Sequence, residues 1–430
     1  MKKILSVLCV LILMMGCGTR KEDENMITIR VGLWGTPEES KIIASILKEW
    51  QKDHPNIKVR LDHTNYGGYV SKTLTQVAGG AAPDIICTEV DMFVNYVKKG
   101  VLEPLDRFIK LDKSFHLDDF FPEVLDRFTV DDKLYVIPRD TAPFACVYYN
   151  KDLFDVAGIA YPTDEWTWDE MLDKAKKMTI LGNNRRYEQY GFYAWAWQNF
   201  IYSNGGQLVD DVKNPTQCLM GMQRSLEGLQ FYRDLIHEHH VMPAPTAMTN
   251  IGMGVQSMFV AGKLAMFSSG IWETPTLRNK TKLMASKGQK FRWDVAMFPK
   301  GRHGDYGFGT GGSGYGILKT SRHKKEAWEV VKALCNESGQ TMLGKSGLAQ
   351  PANQRIAKGE AWAENKDLPV NKKMLNKAVK YVTYNPFHER WAEIQQLYII
   401  PKLELVFNGK MSVKDAVMEF LPVVNKTLKE

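Results

Sequence analysis

Two pairs of residues in this 430-residue chain stand two positions apart and could do chemistry: the indoles Trp195 and Trp197, and the carboxylates Glu89 and Asp91. Indole rings offer large rigid apolar faces, and carboxylates offer oriented hydrogen-bond acceptors. Together they suit a ligand with flat C–H faces and a rim of hydroxyls. Because Trp195 and Trp197 alternate, an extended backbone would turn both to one side. Glu39 follows Trp34 and the turn from Gly35, a position that suits a hydroxyl acceptor or a partner for its own helix dipole. Gly311 and Gly312 lie in the run GFGTGGSGYG, where missing side chains permit close backbone approach. Tyr66 and Trp391 add further rings that serve a ligand or packing equally well. No HExxH, CxxC or Ser/His/Asp arrangement is present, so no catalytic residue, metal or cofactor is expected.

The elements that must position these residues read as alternating strands and helices. Ile27 to Trp34 is β-rich, and Glu38 to Lys52 carries helical spacing of Ile42, Ile43, Ile46, Leu47 and Trp50. A strand over Ile57 to Asp62, a helix over Tyr69 to Val77, a strand over Asp84 to Thr88 and a helix over Val90 to Lys99 follow. This order predicts an α/β lobe with a largely parallel sheet. Its strands end just before Gly35, Glu89 and Asp91, at the edge where open α/β sheets place ligands. Further on, Leu134 to Pro138 and Phe144 to Tyr149 read as strands. Thr167-Trp168-Asp169-Glu170 is a capping box that opens a helix to Met178. Helices are predicted at Cys218 to His237, Gly254 to Gly262 and Lys324 to Asn336, and strands at Lys263 to Ser268 and Trp293 to Phe298. The stretch Tyr187 to Leu208 is dense in aromatics.

With 44% hydrophobic and 24% charged residues, the bulk is a soluble globular chain, long enough for two lobes. The net charge of +7, or +5 without Lys2 and Lys3, is spread among acidic residues, which gives no footprint for nucleic acid. The start differs. A basic Met1-Lys2-Lys3 precedes an apolar run from Ile4 to Met15, too short for the ~20 residues of a membrane span but suited to a signal peptide. Leu13-Met14-Met15-Gly16-Cys17 resembles a bacterial lipoprotein signal. That implies cleavage after residue 16, lipidation of Cys17 and a polar tether over 17–25, with acyl chains holding the protein at the membrane. Cys87 and Cys146 sit in apolar runs, as small buried hydrophobes do. A disulfide among Cys87, Cys146, Cys218 and Cys335 stays open.

Seven further motifs, in order along the chain, resemble one family. They begin at Gly79-Gly80-Ala81-Ala82-Pro83-Asp84, Gly100-Val101-Leu102-Glu103-Pro104, Tyr148-Tyr149-Asn150-Lys151 and Trp166-Thr167-Trp168-Asp169-Glu170. They continue with Phe259-Val260-Ala261-Gly262-Lys263, Gly311-Gly312-Ser313-Gly314-Tyr315-Gly316 and Asn408-Gly409-Lys410-Met411. The chain is similar to extracellular solute-binding proteins of carbohydrate ABC transporters, of the maltodextrin and multiple-sugar type. The resemblance implies a type II periplasmic-binding-protein fold: two α/β lobes joined by hinge strands, with the ligand between them. Crossings are expected near Asp140, Pro299 and Gly314. Lobe one would then hold residues 26–140 plus 299–314, and lobe two 141–298 plus 315–430. The resemblance also implies stacking platforms at Trp195 and Trp272 and carboxylate contacts at Glu89, Asp91 and Asp140. It further implies an oligosaccharide as ligand, ABC permease subunits as partners, a monomer, and no enzymatic activity.

Two rivals remain at this stage. An exported glycoside hydrolase or lyase would also display tryptophans and a carboxyl pair such as Glu89 and Asp91. The same fold could instead hold a polyamine, since a cation also sits well among aromatic rings.

Overall fold

The computed structural model describes residues 26–183 and 186–430. The leader over 1–16, Cys17 and the tether lie outside the described residues.

The chain begins as its hydrophobic pattern predicts. Strand β1 (Ile27–Trp34), helix α1 (Pro37–Trp50), β2 (Ile57–Thr64), α2 (Tyr66–Ala78), β3 (Ile85–Glu89) and α3 (Val90–Lys98) follow one another. Thr36 caps α1 by accepting from the Glu39 N–H, and Pro37 begins the helix where no N–H is needed. β1 pairs in parallel with both β2 and β3. A later strand, Ser313–Ile317, pairs antiparallel with β3 and with Ile137–Pro138, completing a five-stranded sheet. Parallel pairing brings the carboxyl ends of β1, β2 and β3 to a single edge. Antiparallel pairing adds the start of Ser313–Ile317 and the end of Ile137–Pro138 to that edge.

A second five-stranded sheet is built from Trp293–Met297, Cys146–Asn150, Leu264–Ser269, Tyr187–Ala194 and Ile180–Leu181, in that order. Cys146–Asn150 runs antiparallel to Leu264–Ser269, with Cys146 opposite Ser269. Leu264–Ser269 runs parallel to Tyr187–Ala194, with Ser268 beside Ala194. The segment just before Cys146 and those just after Ala194 and Ser269 therefore meet at one edge. The capping box at Thr167 and Glu170 forms as expected at the head of Trp168–Met178.

Each sheet lies over its own hydrophobic core. The two cores divide the chain differently from the expected boundaries. Tyr306 and Phe308 pack with the second core, so residues near Pro299 stay in lobe two, where Thr167 and Lys300 form a β-bridge. Tyr315, Ile317 and the helix Lys324–Cys335, with Ala327, Trp328 and Val331, pack instead in the first core, as do Leu343, Leu348 and Ala357. The reason is strand pairing: Ser313–Ile317 sits between β3 and Ile137–Pro138 and carries the following helices to the back of that sheet. Trp362 then returns the chain to the second core. The crossings lie at 140–145, 309–313 and about residue 360, and the segment 379–387 brushes the first core again through Val379 and Phe387.

Most tryptophans are structural. Trp166, Trp168, Trp293, Trp328, Trp362 and Trp391 are all at most 4% exposed, so tryptophan richness mainly reports packing. Cys87, Cys146, Cys218 and Cys335 are free and buried, which closes the disulfide question for these four. Among the described residues no helix is long and apolar enough to cross a membrane, and no group of His, Cys, Asp and Glu could hold a metal ion.

Candidate functional site: the cleft between two sheet edges

The edges of the two sheets face each other across a cavity of about 550 Å³, which joins a smaller one of about 270 Å³. Tyr66, Glu89, Phe144, Trp195 and Gly311 line both. Of the residues singled out in the sequence, Glu39, Asp140, Trp272 and Gly312 also line the larger cavity, while Asp91 and Trp197 line the smaller.

Lobe two supplies a group of three rings. Phe144 stands edge-on to Trp195 and to Trp272, with centroids 4.8 and 5.7 Å away, and the two indoles are 6.5 Å apart. All three sit at the shared sheet edge, just before Cys146, just after Ala194 and just after Ser269. Trp195 remains 41% exposed, unusual for so large an apolar side chain. Trp272 folds back over Gly270. A Cβ built on Gly270 would lie 1.8 Å from the indole, so only glycine leaves it room.

Lobe one answers with Trp34, at the end of β1, and Tyr66, at the start of α2, their centroids 5.8 Å apart. Beside them lies a charged cluster. Arg139 bonds Glu39 at 2.8 Å and Asp140 at 2.7 Å. Burial alone would lower the Arg139 pKa, but Asp140 and Glu39 outweigh it and hold the guanidinium well above its ordinary value. Asp140, 1% exposed, also accepts from the Ser313 N–H at 3.0 Å and the Ser313 hydroxyl at 2.8 Å. Its carboxylate is thus committed to the crossing strands and orients Arg139 rather than offering acceptors to a ligand. Two glycines make space here. At Gly35 (φ +129°) a Cβ would fall 2.1 Å from the Glu39 carboxylate. At Gly312 it would fall 1.5 Å from the buried Arg127 guanidinium, which bonds the Thr141 carbonyl at 3.1 Å.

Glu89 ends β3 and accepts from the Tyr66 hydroxyl. Burial, then the nearby Asp91 charge, pushes its carboxyl well above the usual range. Burial and the same two carboxylates raise the Tyr66 phenol. Asp91 accepts from the Asn385 amide at 2.5 Å. Protein crowding around the cleft raises its pKa too, although its side chain still reaches solvent.

Trp197 and Trp391 differ from expectation. The backbone turns after Ala194: the Trp197 N–H donates to the Trp195 carbonyl at 3.0 Å, and the helix Gln198–Ser203 begins. The two indoles therefore do not share an extended segment, and Trp197, 8% exposed, forms the wall of the smaller cavity. Trp391 is 3% exposed in the second core and lines neither cavity. Its helix passes into a π turn over Gln395–Ile399, a feature common at functional sites, and Gln395 reaches the smaller cavity instead. Sequence reasoning also missed Phe144, Arg139 and Gln198 as site residues. Their one signal was adjacency to the first crossing and to Trp197.

A family model matches residues 34–341, and this chain belongs to the bacterial extracellular solute-binding proteins. The fold is the type II periplasmic-binding-protein fold. The chain is 27% identical to a multiple sugar-binding protein of Streptococcus mutans, over 69% of this chain and 68% of that one. It is 25% identical to an arabinooligosaccharide-binding protein of Bacillus subtilis, over 57% of each. In structure it is similar to an ABC substrate-binding protein from Listeria monocytogenes in complex with cycloalternan. That likeness has a TM-score of 0.83 at 25% identity, covering 94% of this chain and 99% of the other.

Proposed function

We propose that this protein receives an oligosaccharide in the interlobe cleft and delivers it to the permease subunits of an ABC importer. The observation that carries the reading is the facing of two ring groups, Trp34 with Tyr66 and Phe144 with Trp195 and Trp272, across a polar strip of Glu39, Arg139 and Glu89. Rings cover the C–H faces of a sugar, and charged groups take its hydroxyls. The combined cavities leave room for more than one sugar ring. Relatives named for multiple sugars and for arabinooligosaccharides support the same class of ligand.

Binding without catalysis is the better reading of the carboxylates. Glycoside hydrolysis places two carboxyls on either side of the scissile bond. Here Glu39, Glu89, Asp91 and Asp140 all project from lobe one, and among the described residues lobe two puts no carboxylate into either cavity. Closure of the lobes about the crossings at 140–145 and 309–313 would sequester the ligand, and the closed form would be the one that docks on the permease. Lipidation at Cys17 would hold the monomer outside the cytoplasmic membrane, within reach of the transporter.

Calorimetric titration against neutral and amino-substituted di- to tetrasaccharides tests this directly. Saturable binding of at least one member, with no new reducing ends after prolonged incubation, supports the reading. Cleavage of the ligand, or binding of no member, overturns it.

A further inference from the structure

The smaller cavity differs in chemistry from the larger. Glu89 and Asp91 line it, and among the described residues no Lys, Arg or His does. Two guanidiniums stand behind the wall: Arg139 is engaged by Glu39 and Asp140, and the buried Arg127 bonds the Thr141 carbonyl and the Thr310 hydroxyl without entering the cavity. The Gln198 Oε1 is buried without a protein partner and belongs to the same wall. A buried acceptor of this kind asks for a donor. Rings make up much of the remaining wall, Trp195, Trp197 and Tyr202 among them, and the rest is neutral, including Thr310, Thr383, Asn385 and Gln395. Carboxylates and ring faces, with no base on the cavity surface and an unpaired amide oxygen in the wall behind, together form the recognition chemistry of an ammonium group. This acid-lined chamber sits in a chain whose net charge is +7, so it is not a by-product of overall composition.

Resting on the glycan reading above, we propose that the smaller chamber selects a sugar unit bearing a protonated amine, while the larger chamber holds the neutral remainder of the chain. At about 270 Å³ it falls just below the ~300–1,000 Å³ of sites for whole drug-sized ligands, which suits a single terminal unit. Burial raises both Glu89 and Asp91, with the Asp91 charge adding to the Glu89 shift, and a bound cation would favour the charged forms of both.

The test is a matched panel: glucose-, galactose- and mannose-based di- and trisaccharides, each beside its 2-amino-2-deoxy counterpart, titrated near pH 6.5 by calorimetry. We expect at least one amino member to bind tenfold or more tighter than its neutral twin. That preference should fall to within about twofold in a Glu89→Gln/Asp91→Asn double variant, with folding checked by circular dichroism. Asp91→Asn alone, at a solvent-reaching position, serves if the double variant does not fold, and should at least halve the ratio. Neutral members that bind as well as or better than every amino twin would overturn this inference and leave the glycan reading intact. So would a preference unchanged in the variants. If neither series binds, the glycan reading itself fails, and this inference falls with it.

Discussion

Gly270 and Trp272 divide one volume between them: the indole occupies the place where any larger residue at 270 would put its Cβ, 1.8 Å away. Alanine at 270 must therefore displace the indole from the ring group. Gly270→Ala should weaken ligand binding by about 1–2 kcal/mol, close to the effect of Trp272→Ala, since both remove one stacking face. Calorimetry on the two variants checks this. A Gly270→Ala protein with native affinity would show that Trp272 takes no part in binding.

Trp195 makes the opposite demand on the fold. At 41% exposed it adds little to the core, so Trp195→Ala should change unfolding free energy by no more than ~0.5 kcal/mol while costing ~1–3 kcal/mol of binding. Trp168→Ala, in the core at 1% exposed, should cost ~3–5 kcal/mol of stability. Chemical denaturation beside titration separates the two effects. A Trp195→Ala variant with lowered stability and unaltered affinity would reverse the assignment.

Arg139 joins the first turn of α1 to the crossing strands through Glu39 and Asp140. Removing the guanidinium leaves Asp140 buried without its cation, a loss that runs to ~3–5 kcal/mol for broken buried pairs. Arg139→Met should therefore lower the urea midpoint markedly. Adding Asp140→Asn to it should recover part of the loss. No recovery would mean that the arginine acts through its packing alone.

Glu89 couples stability to pH. Its folded pKa stands well above the ordinary 4.5, so between that value and the folded one the native state binds more protons than the unfolded chain. Stability must then fall as pH rises through this window, the contribution being fully present below the unfolded pKa. Urea unfolding between about pH 5 and 8 should show wild type losing stability relative to Glu89→Gln as pH rises. Parallel curves would contradict the raised value.

Local patterns were legible in the sequence wherever one element decided them. The periodicity of α1, the alternation of β2 and the capping box at Thr167 need no distant partner, and each stands within a few residues of its expected place. The ligand edge of lobe one was legible for the same reason, because parallel strands end together. Nonlocal pairing was not. Nothing near Ser313–Ile317 announces that it inserts beside β3, so the return of residues 315–357 to the first core was missed. Phe144 becomes a site residue only because Cys146 lies opposite Ser269 in the second sheet. Trp391, a ring that suited a ligand or packing equally, packs in the second core, and nothing local marked Gln395 at the head of the following π turn as a cavity residue.

The most direct measurement is a crystal structure with the tightest-binding oligosaccharide of the panel. The account predicts a sugar between Trp34 with Tyr66 on one side and Phe144, Trp195 and Trp272 on the other, at least one ring stacked on an indole, and Glu89 bonded to the ligand. A sugar bound outside this cleft, or one touching none of those rings, would contradict it.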